Sequence, residues 1–169
     1  MTGCRRSVQE LLETLRRTRS KLGELLRLYV PGFSVPIYAV DVDFVAKRLQ
    51  RLPNWSWWRW LVLDGTYYTT NLRGFRDIIS WDRTNRKPYV LDRFDCDKYA
   101  MHFKASAAWF FGINAVGIVL DYSSQHAYNV VLPIDVDEPL LYEPQTDEIF
   151  TVEQRDRRFY RLEQYLVLL

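Results

Sequence analysis

The stretch from Phe94 to Gln145 constrains the fold most, because a helical segment there is followed at once by strand-like segments. Asp95 can cap a helix that begins at Cys96 and runs to about Phe111. Gly112 follows, and glycine is the residue that most often ends a helix. The small alanines of this helix permit close packing against a sheet. We therefore expect a fold that combines a helix with the strands that follow it.

The residues after this helix are rich in valine and isoleucine and are divided by turn residues, which predicts a series of antiparallel strands. The expected strands span residues 114–122, 126–134, 140–143, 148–152 and 160–168. The fold class predicted from this order is α+β, with one central helix packed on an antiparallel sheet and further helices near the N-terminus.

An amphipathic helix is predicted at the N-terminus. Ser7 and Glu10 fit a capping box, and Pro31-Gly32 ends the helix. Apolar residues recur in it every seven positions at Val8, Leu15, Leu22 and Tyr29. This stripe can pack on the domain's own core or pair with a second copy of the chain, and both interpretations stay open. We expect a helix over residues 1–32 and an α+β domain over residues 33–169.

Two shorter helices are expected between these regions. Asp43 can cap the first, which stops near Pro53, and residues 72–81 form the second. Four tryptophans lie between them, within residues 55–60. They fit two faces of a buried helix, or an exposed surface that stacks on carbohydrate or binds a peptide.

Composition limits the compartment and the partners. With 169 residues, 48% of them hydrophobic, the chain can bury a core without disulfides, and its two cysteines, Cys4 and Cys96, are far apart. A net charge of +2 favours neither nucleic acid nor a membrane as partner. No signal peptide or transmembrane helix is evident. A cytoplasmic location is expected, and packaging in a virus particle is also open.

A thiol, an imidazole and a carboxylate occur in this order at the edges of the central segments. Cys96 takes the first helical position, where the helix dipole favours a thiolate. His126 begins a strand and is the candidate base, whereas His102 faces another side of the Cys96 helix. Counting through the hairpin places Glu143 as the leading acceptor for His126. The weaker candidates for that acceptor are Asp121, Asn129 and Gln145.

The surroundings of the thiol contain further candidates. The Cys96 backbone amide and a side-chain donor, either Tyr89 or Gln145, would stabilise an oxyanion. Asp95 and Asp97 flank the thiol and would tend to raise its pKa. The scattered Cys, His and carboxylate residues favour no metal site and no other cofactor.

The central residues resemble the papain-like fold in its transglutaminase-like form. The run Asp95-Cys96-Asp97-Lys98-Tyr99-Ala100 is similar to the Asp-Cys-Glu-Asp-Tyr-Ala pattern of bacterial transglutaminase-like cysteine proteinases. Gln125-His126-Ala127 is similar to their Gly-His-Ala segment, and Glu143 takes the position of their third residue, which is usually Asp. Tyr89 resembles an upstream oxyanion tyrosine of related cell-wall hydrolases. The resemblance covers residues 89–150.

This resemblance implies a cysteine-dependent amide hydrolase or acyltransferase. Cys96 would be the nucleophile, His126 the base and Glu143 the orienting carboxylate, and a peptide or amide would be the substrate. The alternative is a non-catalytic papain-like module that binds protein or glycan through the aromatic segment, for example a viral structural or host-interaction protein. Self-association through the N-terminal helix is a further expectation.

Overall fold

The computed structural model describes the backbone of residues 2–169 and the side chains of residues 10–23 and 30–169. The chain divides into two compact units, Met1–Ser34 and Val35–Leu169. No helix in the described part of the chain has an apolar stretch that could span a membrane.

The first unit contains helix α1, Thr2–Tyr29. Leu15 and Leu22, which belong to the predicted heptad stripe, are 56% and 55% exposed. Ser7, Val8 and Tyr29, which carry the predicted cap and the ends of the stripe, lie outside the described side chains, as does Cys4. Pairing of α1 with a second copy stays a prediction.

The second unit contains three helices and eight strands among the described residues. The helices are α2 (Val42–Leu49), α3 (Leu72–Trp81) and α4 (Cys96–Phe111). The strands are β1 (Tyr38–Asp41), β2 (Trp60–Leu61), β3 (Thr66–Thr69), β4 (Val116–Asp121), β5 (His126–Val131), β6 (Leu140–Glu143), β7 (Glu148–Thr151) and β8 (Tyr165–Leu168). Single 3₁₀ turns span Trp57–Arg59 and Thr84–Arg86.

Six strands form the main sheet in the order β2-β8-β4-β5-β6-β7, and β1 pairs with β3 in a separate ribbon. The pairs between β8 and β7 in this order are antiparallel, as expected. The expected all-antiparallel sheet is nevertheless wrong, because β2 lies parallel to β8. The strands β2 and β8 lie far apart in the sequence of the second unit, so no hairpin pattern predicts that they pair.

Both faces of the sheet are covered. On one face α2 contributes Val45 and Leu49 to a core that also contains Val119 of β4 and Val130 of β5. On the other face α3 and α4 pack on Val116, Val131 and Tyr142, with Phe103 of α4 at the centre. The alternation of side chains along each strand sends neighbouring residues into opposite cores. The sheet therefore holds α4 in a fixed position.

A buried amide ties α4 to the sheet. Asn129 of β5 is fully buried, and its Nδ2 donates to the carbonyl of Ala100 in α4 at 2.9 Å and to that of Gly117 in β4 at 3.1 Å. Gly112 ends α4 in the left-handed conformation, with φ of 68°. The Asn129 hydrogen bond therefore holds the N-terminal half of α4 against β5.

The predicted helices over residues 72–81 and 96–111 are confirmed with these bounds. The predicted cap of α2 is wrong by two positions. Asp41, not Asp43, takes the N-cap, and its carboxylate accepts the Phe44 N–H at 2.9 Å. An Asp in the first turn stabilises the helix dipole without capping, so both positions fit the local sequence.

The predicted buried helix over the tryptophan segment is also wrong. The segment forms one 3₁₀ turn and then enters the edge strand β2. Trp55 and Trp60 pack edge-to-face with ring centroids 5.6 Å apart, against the core. Trp57 and Trp58 are instead 80% and 59% exposed. A short turn cannot bury all of its faces, and this leaves two large aromatic rings in solvent.

Candidate functional site around Cys96, His126 and Glu143

The N-terminus of α4 carries a free, partly buried thiol at Cys96. Asp95 takes the N-cap position, but its side chain makes no cap hydrogen bond to the helix. Its Oδ2 accepts the Asp92 N–H instead, at 3.1 Å. The first turn of α4 thus receives no side-chain cap from Asp95, and the positive end of the helix dipole favours a negative charge at Cys96.

The first residue of β5, His126, meets this thiol. Its hydrogen bond to Cys96 is the main cause of a Cys96 pKa below the ordinary value, and a hydrogen bond with the Ala127 backbone acts in the same direction. Burial of the thiol opposes both effects. The result is a cysteine whose thiolate forms more readily than that of an exposed cysteine.

The last residue of β6, Glu143, holds the other side of the imidazole. Its side chain is buried, and its Oε2 lies 2.6 Å from His126 Nε2. The same oxygen accepts the Tyr160 hydroxyl at 3.1 Å, while Oε1 accepts the backbone and side-chain amides of Gln145 at 3.1 and 3.2 Å. The carboxylate is thus fixed by three residues.

These contacts determine the protonation of His126. Burial by itself would lower the pKa of the imidazole, but the hydrogen bonds and charges of Cys96 and Glu143 outweigh that effect and raise it to about 9. A raised imidazole pKa beside a lowered thiol pKa favours an imidazolium–thiolate pair near neutral pH. Such a pair can attack an electrophilic carbon and deliver a proton to the atom that leaves it.

A lysine offsets the two acidic residues that flank the thiol. Lys98 Nζ lies 3.3 Å from Asp95 Oδ1 and 2.9 Å from Asp97. The expected rise in the thiol pKa is correspondingly small: the Asp95 charge is the last of the causes that act on Cys96. Lys98 was missed from the sequence, although a cation three positions after Asp95 on a helix is a recognisable pairing signal.

Cys96 and His126 lie in an open cleft of about 410 Å³. The other lining residues are Leu120, Asp121, Tyr122 and Gln125. The cleft lining therefore combines an exposed aromatic ring, Tyr122, with the amide of Gln125 and the buried side chain of Asp121. Within the described residues, no group of three or more His, Cys, Asp or Glu side chains could hold a metal ion.

The two predicted oxyanion donors, Tyr89 and Gln145, have different neighbours. Tyr89 is half-exposed, and desolvation together with the charge of Cys96 raises its pKa. Gln145 is engaged with Glu143 rather than with the thiol. Oxyanion stabilisation by Tyr89 or Gln145 stays a prediction.

The weaker candidates for the His126 acceptor, and the second histidine His102, make other contacts. Asp121 pairs with His126 in register, but its carboxylate accepts from Ser123, Tyr128 and Leu162. Asn129 ties α4 to the sheet. His102 faces away and lies 2.7 Å from the Thr84 hydroxyl. The hairpin count thus placed Glu143 correctly beside His126, and the helix phase correctly separated His102 from the thiol.

Tyr160 is a second residue that sequence reasoning missed. It is buried, donates to Glu143, and stacks near both His126 and Tyr128 with ring centroids 5.6 and 4.9 Å away. It lies 17 positions beyond Glu143, after a charged loop. No local pattern links those two positions.

Comparison with known proteins identifies the family. The sequence model of the ricin-type beta-trefoil lectin C-terminal domain matches residues 59–162, which is more than half of the chain. The chain belongs to this family. No curated protein is significantly similar to it in sequence.

Two solved structures are similar to this chain in fold. The structure "PSL1a-E64 complex" has a TM-score of 0.61 and 21% identity, and the match covers 78% of this chain and 51% of that one. Polyporus squamosus lectin, described as bound to the human-type influenza-binding epitope Neu5Aca2-6Galb1-4GlcNAc, has a TM-score of 0.58 and 21% identity over 78% of this chain and 49% of its own. The chain thus spans about half the length of these neighbours, and the likeness concerns the fold.

These findings correct the sequence-based assignment. The papain-like, transglutaminase-like family and fold class are contradicted, because the family match and the structural neighbours are those of lectins. The cysteine-dependent amide hydrolase or acyltransferase is contradicted on the same ground, and the alternative of a glycan-binding module is the better supported one. The resemblance rested on short runs around Cys96, His126 and Glu143, which specify a local arrangement more than a family.

Proposed function

We propose that this chain is a glycan-binding module of the lectin family to which it belongs. The observation that carries the proposal is the family match over residues 59–162. The glycan epitope bound by Polyporus squamosus lectin supports a saccharide, rather than a peptide or amide, as the ligand class. The proposed function has no role for nucleic acid or for a membrane.

Trp57 and Trp58 offer one contact surface for such a ligand. Both indole rings are mostly exposed, and the Arg59 guanidinium lies 4.9 Å from the centre of the Trp58 ring. Exposed aromatic rings beside a polar group supply an apolar face for the C–H groups of a sugar and donors for its hydroxyls.

A glycan array tests the proposal directly. The full chain should bind a subset of glycans above a heat-unfolded sample, and Trp57→Ala combined with Trp58→Ala should weaken that binding at least fivefold. Trp109→Ala is the matched control, because Trp109 is 83% exposed and belongs to α4 rather than to this segment. Failure of the folded chain to bind any glycan would overturn the proposed function.

A specific observation favours a second activity of the same chain. His126 Nε2 lies 2.6 Å from Glu143 Oε2, the same imidazole lowers the pKa of the Cys96 thiol, and the neighbour PSL1a forms a complex with E64. We propose that Cys96 is a reactive thiol that captures electrophilic ligands covalently. Its thiolate attacks an epoxide carbon of E64, the C–O bond breaks, and the oxygen takes a proton from His126.

Intact-protein mass spectrometry tests this thiol centre. E64 should add once to the native chain, and digestion should place the adduct on the peptide that contains Cys96. Cys96→Ser should abolish the adduct, and His126→Gln should slow it at least tenfold. Equal modification of native and unfolded protein would contradict a site built by the fold.

A further inference from the structure

A second hollow, of about 330 Å³, lies beside the edge strand β7. It shares no lining residue with the Cys96 cleft and is formed by Glu148, Ile149, Phe150, Gln154, Asp156 and Tyr160. We infer that this hollow is a saccharide pocket that takes one neutral, hydroxyl-rich sugar residue. The inference rests on the proposed glycan-binding function and names a site for it beyond the Trp57–Trp58 surface.

Two aromatic rings form the floor of the hollow. Phe150 and Tyr160 have ring centroids 4.9 Å apart and an angle of 59° between their planes. Phe150 packs against the core on the α2 side of the sheet, and the Tyr160 hydroxyl is fixed by Glu143. The floor is therefore held in place before a ligand arrives, which lowers the entropic cost of binding. Its apolar surface suits the C–H face of a sugar ring.

The rim supplies the polar groups that sugar hydroxyls require. Gln154 Oε1 accepts the Thr151 N–H at 3.0 Å, which orients the side chain, and its NH₂ group has no protein partner in the described part of the chain. Glu148 uses only Oε2, which accepts the Thr146 hydroxyl at 3.2 Å. One donor group and one carboxylate oxygen thus stay available at the rim.

A third rim group is oriented by its neighbour. The Asp156 carboxylate receives the Arg158 guanidinium, with contacts of 2.6 and 3.1 Å, and also the Arg158 backbone N–H at 2.9 Å. This pairing lowers the pKa of Asp156, so the group is an ionised acceptor at neutral pH. A carboxylate has more acceptor sites than these donors fill, and a sugar hydroxyl can use the remainder.

The charge and size of the hollow select the ligand class. Its lining contains two carboxylates and no basic side chain. A sugar that carries its own carboxylate would be repelled by Glu148, which unlike Asp156 is not paired with an arginine among the described residues, whereas a neutral sugar can donate hydroxyl hydrogens to both acids. The volume lies at the small end of the range for ligand sites, so it suits a single sugar residue.

The hollow also lies within the part of the chain that defines the family. All six lining residues fall between positions 59 and 162, whereas Trp57 and Trp58 precede that segment. The two candidate surfaces can therefore be separated by mutation.

The test is a titration of the ¹⁵N-labelled full chain followed by NMR. The probes are methyl glycosides of galactose, glucose, mannose and N-acetylglucosamine, compared with the methyl glycoside of N-acetylneuraminic acid. At least one neutral glycoside should shift the backbone amides of residues 148–154. The acidic glycoside should bind at least tenfold more weakly.

Two substitutions at the rim test whether its side chains bind the sugar. Glu148→Gln and Gln154→Ala should each weaken neutral-sugar binding at least fivefold, and Glu148→Gln should narrow the difference between neutral and acidic sugars. Glu153→Gln is the matched control, because Glu153 is exposed in the same loop and does not line the hollow. Unchanged binding in both rim variants would overturn the pocket.

The outcomes also separate the pocket from the broader function. A positive glycan array without shifts in residues 148–154 overturns the pocket and leaves the glycan-binding function standing. Absence of binding in both experiments overturns the function itself. Equal binding of neutral and acidic glycosides overturns the proposed selectivity, and with it the role of the two carboxylates.

Discussion

His126 Nε2 lies 2.6 Å from Glu143 Oε2, and this contact determines which nitrogen faces the thiol. An ionised carboxylate can only accept, so Nε2 donates to Glu143 and Nδ1 is left for Cys96. The relationship joins the start of β5 to the end of β6, which pair as antiparallel neighbours in the sheet. The His126 imidazole thus lies between the buried carboxylate of Glu143 and the partly buried thiol of Cys96.

Replacement of Glu143 by glutamine should slow the reaction of Cys96 with iodoacetamide about tenfold at pH 7. The amide keeps the shape but loses the charge that stabilises the imidazolium, and a change of one pKa unit alters the thiolate fraction by that factor. The rate is measured by mass spectrometry of the Cys96 peptide. Glu138→Gln, at an exposed position, should react like the native chain.

The pH dependence of the same reaction should reveal the lowered pKa of Cys96. Its alkylation rate should reach half of its maximum below about pH 8.5, which is the ordinary cysteine value. His126→Gln should move that midpoint upward, because the main cause of the shift is removed. A midpoint at or above that ordinary value in the native chain would contradict the hydrogen-bonded pair. Cys96→Ser gives the background from Cys4.

Stability should also depend on His126. Its pKa is about 9 in the folded chain against about 6.5 when unfolded. The protonated form therefore stabilises the fold fully below about pH 6.5, and the contribution of about 3 kcal/mol is lost as the pH rises through about 9. Urea unfolding at about pH 6 and about pH 9.5 measures it as the difference between the native chain and His126→Gln. An equal difference at both pH values would contradict the raised pKa.

Much of the local structure could be predicted, because its signals are short-range. The bounds of α4 follow from Asp95 at the N-cap and Gly112 after the last turn. The pairing of His126 with Glu143 follows from counting through a hairpin whose turn residues are evident. Helix phase correctly turned His102 away from the thiol.

The rest depended on distant contacts that no local pattern records. The parallel pairing of β2 with β8 and the Tyr160 hydrogen bond to Glu143 both join parts of the chain separated by other elements. The family could not be predicted for a related reason. The run from Asp95 to Ala100 describes the start of one helix, whereas the lectin-family match extends over residues 59–162.

The heptad stripe of α1 predicts self-association. Leu15 and Leu22 are more than half exposed and occupy equivalent heptad positions, so we expect α1 to pair with a second copy. Light scattering should give a mass above that of one chain, and Leu15→Glu with Leu22→Glu should restore the monomer mass. Leu63→Glu is the control, since Leu63 is 70% exposed in the other unit. A monomer mass for the native chain would end this prediction.

Gly117 tests the packing that positions the site. It lies in β4 between β5 and β8, and a methyl group on its Cα would come within 2.7 Å of Val130 Cγ1 and 3.0 Å of Val167 Cγ1. Gly117→Ala should therefore lower the free energy of unfolding by about 1–3 kcal/mol, as overpacked cores do. Urea denaturation measures the change. Gly65→Ala, where the added methyl meets nothing within 4 Å, should stay within about 0.5 kcal/mol of the native chain. If the two variants were equally stable, β4 could move away from β5 and β8 at little cost in free energy. Packing around Gly117 would then not explain the fixed position of His126.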